Sequence, residues 1–278
     1  MRSQRATEYI DLYIEGEFVQ ARRHPSQSPC PKCVRDLGFV TTTNDQGRPI
    51  SKRCRCKGID HRIKAFNQVG VPARYIDAEL SSYKPRDLTG VEAVERANEF
   101  AWSFTPQSRG LLIYGGYGTG KTYIAASIIR VISLLRGYNV KFVEFSHLLS
   151  ALQAEFNQSD RKRSYRGTSP SFKRSMTTAS HVGLMQTLIN AECLVIDELG
   201  EGRQSEWAKS VLEELITKRY NASGTTIITT NYDPRRNHIG DPEHLESRVG
   251  ARLYSRLQQM CDPIPLFGID YREGTEQP

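Results

Sequence analysis

One stretch constrains this chain more than any other: residues 111–122, LLIYGGYGTGKT. Leu111, Leu112, Ile113 and Tyr114 form an apolar run of buried-strand type, and a helical apolar pattern starts at Thr122 (TYIAASIIRVISLL). Between them stands G-x-x-x-x-G-K-T: Gly115, Gly116, Tyr117, Gly118, Thr119, Gly120, Lys121 and Thr122. Glycines let the backbone turn and aim several N–H groups at a phosphate chain. The helix that follows adds its positive N-terminal end. In such a loop the lysine, Lys121, reaches the β- and γ-phosphates, and the Thr122 hydroxyl ligates Mg²⁺. A Gly-rich turn matching by chance need not lie between a strand and a helix, and this one does. A nucleoside-triphosphate site is expected here.

At 278 residues the chain suits one main domain plus a small one. Its 38% hydrophobic and 25% charged residues are those of a globular protein. No apolar run reaches the roughly 18 residues of a membrane span, and MRSQRATEYIDLYIEGEF lacks the apolar centre of a signal peptide. A cytoplasmic location without membrane contact is expected, so the six cysteines read as metal ligands or buried thiols rather than disulfides. Of the net +7, residues 1–69 carry +6 and residues 70–278 only +1. A basic N-terminal quarter suggests an acidic partner such as nucleic acid or an acidic protein face; the plainer reading is solubility.

That quarter has its own motif. Cys30-Pro31-Lys32-Cys33 precedes a strand-prone run, Leu37 to Thr43; turn residues follow, and Ile50 to Arg53 leads to Cys54-Arg55-Cys56. This predicts a hairpin with a cysteine pair at each end, the layout of a zinc ribbon, in which Cys30, Cys33, Cys54 and Cys56 hold tetrahedral Zn²⁺. The second pair is C-x-C, tighter than C-x2-C, and His24 and His61 are nearby substitutes. Cys193 and Cys261 lie in apolar sequence and read as buried thiols.

Downstream, residues 57–69 look like a helical linker. Residues 91–104 form an amphipathic helix with Val91, Val94, Ala97, Ala101 and Phe104 on one face. After the phosphate-loop helix comes a strand at 140–145, then a helix 147–156 for which Ser146 is a candidate cap. Residues 157–180 hold six basic residues, one acidic residue and the aromatics Tyr165 and Phe172. They are either a flexible arm gripping nucleic acid or a solvated linker. The strand 193–197 is apolar until Asp197 and Glu198 at its C-terminal end, the edge at which open parallel sheets bind ligands. Asp197 is placed to hold hydrated Mg²⁺ and Glu198 to polarise a water for attack on the γ-phosphate. A helix over 205–220, a strand over 225–230 ending at Asn231, a basic helix over 243–260 and a short edge strand at 264–267 complete the chain. Asn231 could touch the attacking water or the γ-phosphate, or simply end a strand. Strands alternating with helices predict a parallel α/β sheet with helices on both faces.

In this order the motifs resemble the AAA+ ATPases of the DnaC/DnaI helicase-loader and IstB type, over about residues 70–278. The resemblance rests on VPARYIDAEL, GGYGTGKT, CLVIDELG, KRYNASGTTIITTN and GARLYSRLQQMC followed by DYR. It implies a five-stranded AAA+ sheet, with 115–122 as Walker A, Asp197 and Glu198 as Walker B, and Asn231 as first sensor. Arg256, in YSRL, matches the arginine finger that reaches a neighbouring subunit; Arg252, one turn earlier, is its competitor. Arg272, in DYR, matches the second sensor. For each arginine the plainer reading is a surface ion pair. The segment 157–180 is longer than the family pattern. The chain stops soon after Arg272, which fits the loader group and not the AAA+ unfoldases.

The expectation is therefore an N-terminal zinc-binding domain with linker, 1–69, and an AAA+ ATPase domain, 70–278. With ATP/ADP, Mg²⁺ and Zn²⁺ as cofactors, the chain would load a replicative hexameric helicase onto single-stranded DNA. It would self-associate when ATP-bound, with slow hydrolysis as a switch. The alternative is an IstB-type transposition helper on duplex DNA with a transposase partner. Weaker readings are a zinc-dependent adaptor with structural nucleotide and a recombinase-type ATPase.

Overall fold

The computed structural model describes residues 10–24, 39–44, 46–53, 55–153, 183–202, 205–235 and 241–272. Its centre is a five-stranded sheet in the order β6-β7-β8-β5-β9. These strands are β5 (Gly110–Tyr114), β6 (Val140–Glu144), β7 (Cys193–Asp197), β8 (Thr225–Thr230) and β9 (Cys261–Pro265). Every pairing among them is parallel, as expected. Every residue of β5, β7 and β8 is buried, the mark of strands covered on both faces. The pleat deals successive side chains to opposite sides. Ile113, Val195 and Ile227 enter one core cluster, while Leu112, Ile196 and Ile228 enter the other. β9 is an edge strand, where its two prolines remove donors without cost.

Helices α2 (Leu88–Ser103) and α3 (Lys121–Ile129) supply the first cluster. Asp87 caps α2 by accepting the Gly90 N–H at 2.8 Å. Of the face expected for this helix, Ala97, Ala101 and Phe104 are buried and Val94 packs on the core, but Val91 is 42% exposed; Gly90, Ala93 and Phe100 complete the buried stripe. Small residues let α2 and α3 approach closely, and that closeness outweighs the size of any one apolar side chain. A π-helical turn, Arg130–Leu135, continues α3.

The second cluster holds α4 (145–153), α5 (183–189), α6 (Glu206–Asn221), α7 (Leu245–Val249) and α8 (Ala251–Met260). Ser205 caps α6 by accepting the Ala208 N–H. Ser146 lies inside α4 and its hydroxyl donates to Glu144, so it is not the cap. The single helix expected over 243–260 is broken at Gly250, whose φ of 87° and ψ of 151° are not helical.

Two antiparallel hairpins lie at the N-terminal side: β1 (Ile10–Glu15) with β2 (Phe18–Arg23), and β3 (Phe39–Thr43) with β4 (Pro49–Arg53). The second is the hairpin predicted between the cysteine pairs. Helix α1 (Arg55–Asn67) covers the expected linker. Packing runs across the 69/70 division. Ile10, Val19, Ile59, Phe66 and Val69 share the first core cluster with Val71, Ile128 and Phe142. Val19 N–H donates to the Val71 carbonyl at 2.9 Å and Ala73 N–H to that of Glu17 at 2.8 Å. From α1, Arg62 reaches the Leu135 carbonyl at 3.0 Å, and His61 Nε2 lies 3.0 Å from the Gly137 carbonyl. His61 thereby meets the end of the phosphate-loop helix.

Candidate functional site

At the C-terminal ends of β5, β8 and β7 the chain forms a cleft of about 850 Å³. The loop 115–120 fills its floor, and a side chain at any of three of its glycines would meet a neighbour. A Cβ on Gly115 would fall 1.9 Å from the Leu266 carbonyl oxygen, one on Gly118 1.6 Å from Asp270 Oδ1, and one on Gly120 2.7 Å from the Tyr83 ring. All three have positive φ. The loop is braced from outside: Tyr83 hydroxyl donates to the Thr119 carbonyl at 2.9 Å, and Tyr271 N–H to that of Gly118 at 3.1 Å. Gly116 and Tyr117 complete the loop; Tyr117 is 60% exposed at the mouth.

Lys121 is buried and bonds the Gly115 and Gly116 carbonyls at 3.1 and 2.5 Å. Burial lowers its pKa to about 8, against the pull of Asp197. Its neighbour Thr122 donates to Asp197 Oδ1 at 3.0 Å, across 75 residues of sequence. Thr229 Oγ1 donates to the same oxygen at 2.5 Å and accepts the Glu198 N–H at 3.0 Å. Burial pushes Asp197 up to about 6, although the two hydroxyls oppose it. Glu198 is raised by burial and then by Glu144 and Glu201. Its φ of 57° is left-handed, a conformation costing about 1–3 kcal/mol that tertiary contacts must hold. Here the Thr229 hydroxyl holds it. Asn231 follows β8 in the cleft and donates Nδ2 to Glu201 Oε1 at 2.5 Å.

The arginines separate. Arg272 lines the cleft with Lys121, Thr122, Glu198 and Asn231. Arg252 and Arg256 do not; both face Glu213 from α8, at 2.8 and 3.6 Å. Arg252 is 74% exposed and Arg256 18%, and Arg256 Nη1 is buried without a hydrogen-bond partner.

No protein-family description matches the chain. Among curated proteins, the replicative helicase loader DnaC of Escherichia coli K12 is 24% identical over 195 residues, 70% of this chain and 69% of DnaC. An insertion-sequence IS21-like ATP-binding protein of Bacteroides fragilis is 26% identical over 206 residues, covering 73% of this chain and 66% of that protein. Among solved structures, a crystal structure of the DnaC helicase loader superposes with a TM-score of 0.56 at 28% identity, over 70% of this chain and 99% of that one. In sequence and fold this chain is similar to DnaC. Its fold is also shared by DnaI, with a TM-score of 0.53 at 19% identity over 74% of this chain and 98% of DnaI.

Residues that the motifs did not single out also face the cleft. Arg74, Tyr75, Asp77 and Ala78, from the short turn Ala73–Tyr75 onward, line it. Their signal was VPARYIDAEL, which the resemblance flagged without assigning a task. Thr229 was legible only as one of four threonines in a fully buried strand, where each hydroxyl must find a partner. The zinc expectation lies elsewhere: Cys30, Cys33, Cys54 and the side chain of Cys56 are outside the described residues, as is 157–180. Among the described residues no group of three or more His, Cys, Asp or Glu could hold a metal ion. Cys193 and Cys261 are free, buried thiols, both pushed up to about 12 by burial. Among the described residues no helix is long and apolar enough to cross a membrane.

Proposed function

We propose that this chain is an ATPase that loads a replicative hexameric helicase onto single-stranded DNA, with nucleotide state as the switch. The observation that supports it most is the Thr122–Asp197 bond at the mouth of a phosphate loop, in a chain that is DnaC-like in sequence and fold. The donor set fits Mg²⁺-ATP: loop N–H groups and Lys121 for phosphate oxygens, the Thr122 hydroxyl and Asp197 for the cation. The nucleotide supplies a γ-phosphate whose hydrolysis resets the protein. Glu198 is the general base: burial raises its pKa toward the range in which a carboxylate takes a proton readily. Thr229 fixes the backbone of that base, and Asn231 and Arg272 attend the same end of the cleft.

We keep residues 70–278 as the ATPase domain and 1–69 as an N-terminal attachment docked on it. Cys30, Cys33, Cys54 and Cys56 are its proposed Zn²⁺ ligands, and the attachment is the proposed helicase-docking module. Arg256 is the proposed finger into a neighbouring subunit when ATP drives self-association. The test is the native mass of the full chain with its host's hexameric helicase, in ATP and in ADP. A complex sensitive to nucleotide supports loading; no complex in either state removes it. The IS21-like relative favours one second reading, a transposition helper on duplex DNA. ATP-dependent assembly on duplex DNA without helicase binding would select that reading.

A further inference from the structure

Glu201 bridges the two walls of the cleft. Its Oε1 accepts from Asn231 Nδ2 at 2.5 Å, at the end of β8, and from the Tyr117 hydroxyl at 3.3 Å, in the phosphate loop. Both donors thus converge on one oxygen. The carboxylate shares the cleft with Lys121, Thr122 and Glu198. Gly200 and Gly202 flank it with φ of 93° and 72°, so its place is set by a loop conformation that side chains resist.

We propose that Glu201 is a positioning residue that makes the site discriminate a nucleoside triphosphate from a diphosphate. A γ-phosphate brings negative charge beside this carboxylate and competes for the Asn231 amide and the Tyr117 hydroxyl. A diphosphate lacks that group and leaves the bridge intact. Glu201 therefore holds triphosphate affinity down relative to diphosphate affinity, and release of its two donors couples the phosphate loop to the strand end. The inference rests on the nucleotide reading of the cleft.

The experiment measures Kd for ATP and for ADP on the full chain with Mg²⁺, by displacement of a fluorescent ADP. In Glu201→Gln the ratio Kd(ATP)/Kd(ADP) falls about tenfold, the scale of one charge–charge repulsion in a partly wet cleft. Glu201→Asp keeps the charge and the wild-type ratio. Tyr117→Phe removes a donor that the carboxylate and the γ-phosphate share and leaves the charge of Glu201 in place, so the ratio does not fall. If Glu201→Gln has the wild-type ratio while its circular dichroism is native, the inference is overturned. If that variant does not fold, an unchanged ratio in Glu201→Ala overturns it instead. Wild-type protein that binds neither nucleotide would sink the nucleotide reading itself.

Discussion

Arg219, at the end of α6, has no exposed surface. Its Nε donates to Thr226 Oγ1 at 3.0 Å, and Nη1 faces the carbonyls of Leu188, Ile189 and Ala191 at 2.8–3.0 Å. Nη2 donates to the Thr225 carbonyl. One guanidinium thus ties the end of α5 and its following turn to the start of β8, the strand that carries Thr229 and Asn231. Replacing it in Arg219→Met strands those acceptors in the core. Hydrogen bonds from a charged donor contribute about 1.5–3 kcal/mol per bonded nitrogen, so three nitrogens give roughly 5–9 kcal/mol. Burial offsets part of this: the arginine pKa falls to about 10 from 12.5, which corresponds to about 3 kcal/mol. The net loss is about 4 kcal/mol, within the range for breaking a buried charged network. In a domain of this size that lowers Tm by roughly 8–16 °C. Urea unfolding of wild type, Arg219→Met and Arg219→Lys measures it, with the lysine variant falling between, since one ammonium cannot span the fork. A methionine variant within about 1 kcal/mol of wild type would refute the reasoning, because the buried charge would then be merely tolerated.

The remaining expectations concern the cleft. Asp197→Asn should stabilise the nucleotide-free, metal-free protein by about 1–2 kcal/mol at pH 7.5, since its amide oxygen still accepts both threonine hydroxyls. The sign follows from burial: the folded pKa, about 6, lies above the ordinary 3.8. Folding therefore favours the protonated acid, a contribution fully present below about pH 4 and lost as pH rises through 6. The advantage of the asparagine should shrink between pH 6 and pH 4 in urea melts; a variant less stable than wild type at both ends contradicts this. Arg256→Ala should cut ATP turnover roughly 10³-fold with ATP affinity near normal, as loss of a trans finger does. A collapse of affinity with turnover per bound ATP unchanged would assign Arg256 to another task.

The sheet and its phosphate loop were legible because β5, β7 and β8 are short, apolar or threonine-rich runs and the loop glycines sit between a strand and a helix. Asp197 and Thr122 were legible as separate motifs; that they bond directly is tertiary information. The helix expected over 243–260 failed at Gly250, where amphipathic periodicity outvoted a single backbone angle. Val91 was placed inside because hydropathy ranks valine above glycine and alanine, whereas close helix contact selects the small residues. Glu201 was invisible: an acidic residue between two glycines reads as loop solvation until Asn231 and Tyr117 are seen to meet on it. Arg219 stood only inside KRYNASGTTIITTN, since no pattern reveals that three of its acceptors are backbone carbonyls 28–31 residues upstream.

The bonds from His61 and Arg62 to the carbonyls of Gly137 and Leu135 bear on how such a chain could be recombined. The far end of the helix that opens the phosphate loop is finished by residues from the N-terminal quarter. A new N-terminal module spliced on at residue 70 would leave that helix without the side chains that finish it. A join upstream of Ile10 carries the finishing residues along together with the first hairpin, whose Val19 and Glu17 bond Val71 and Ala73.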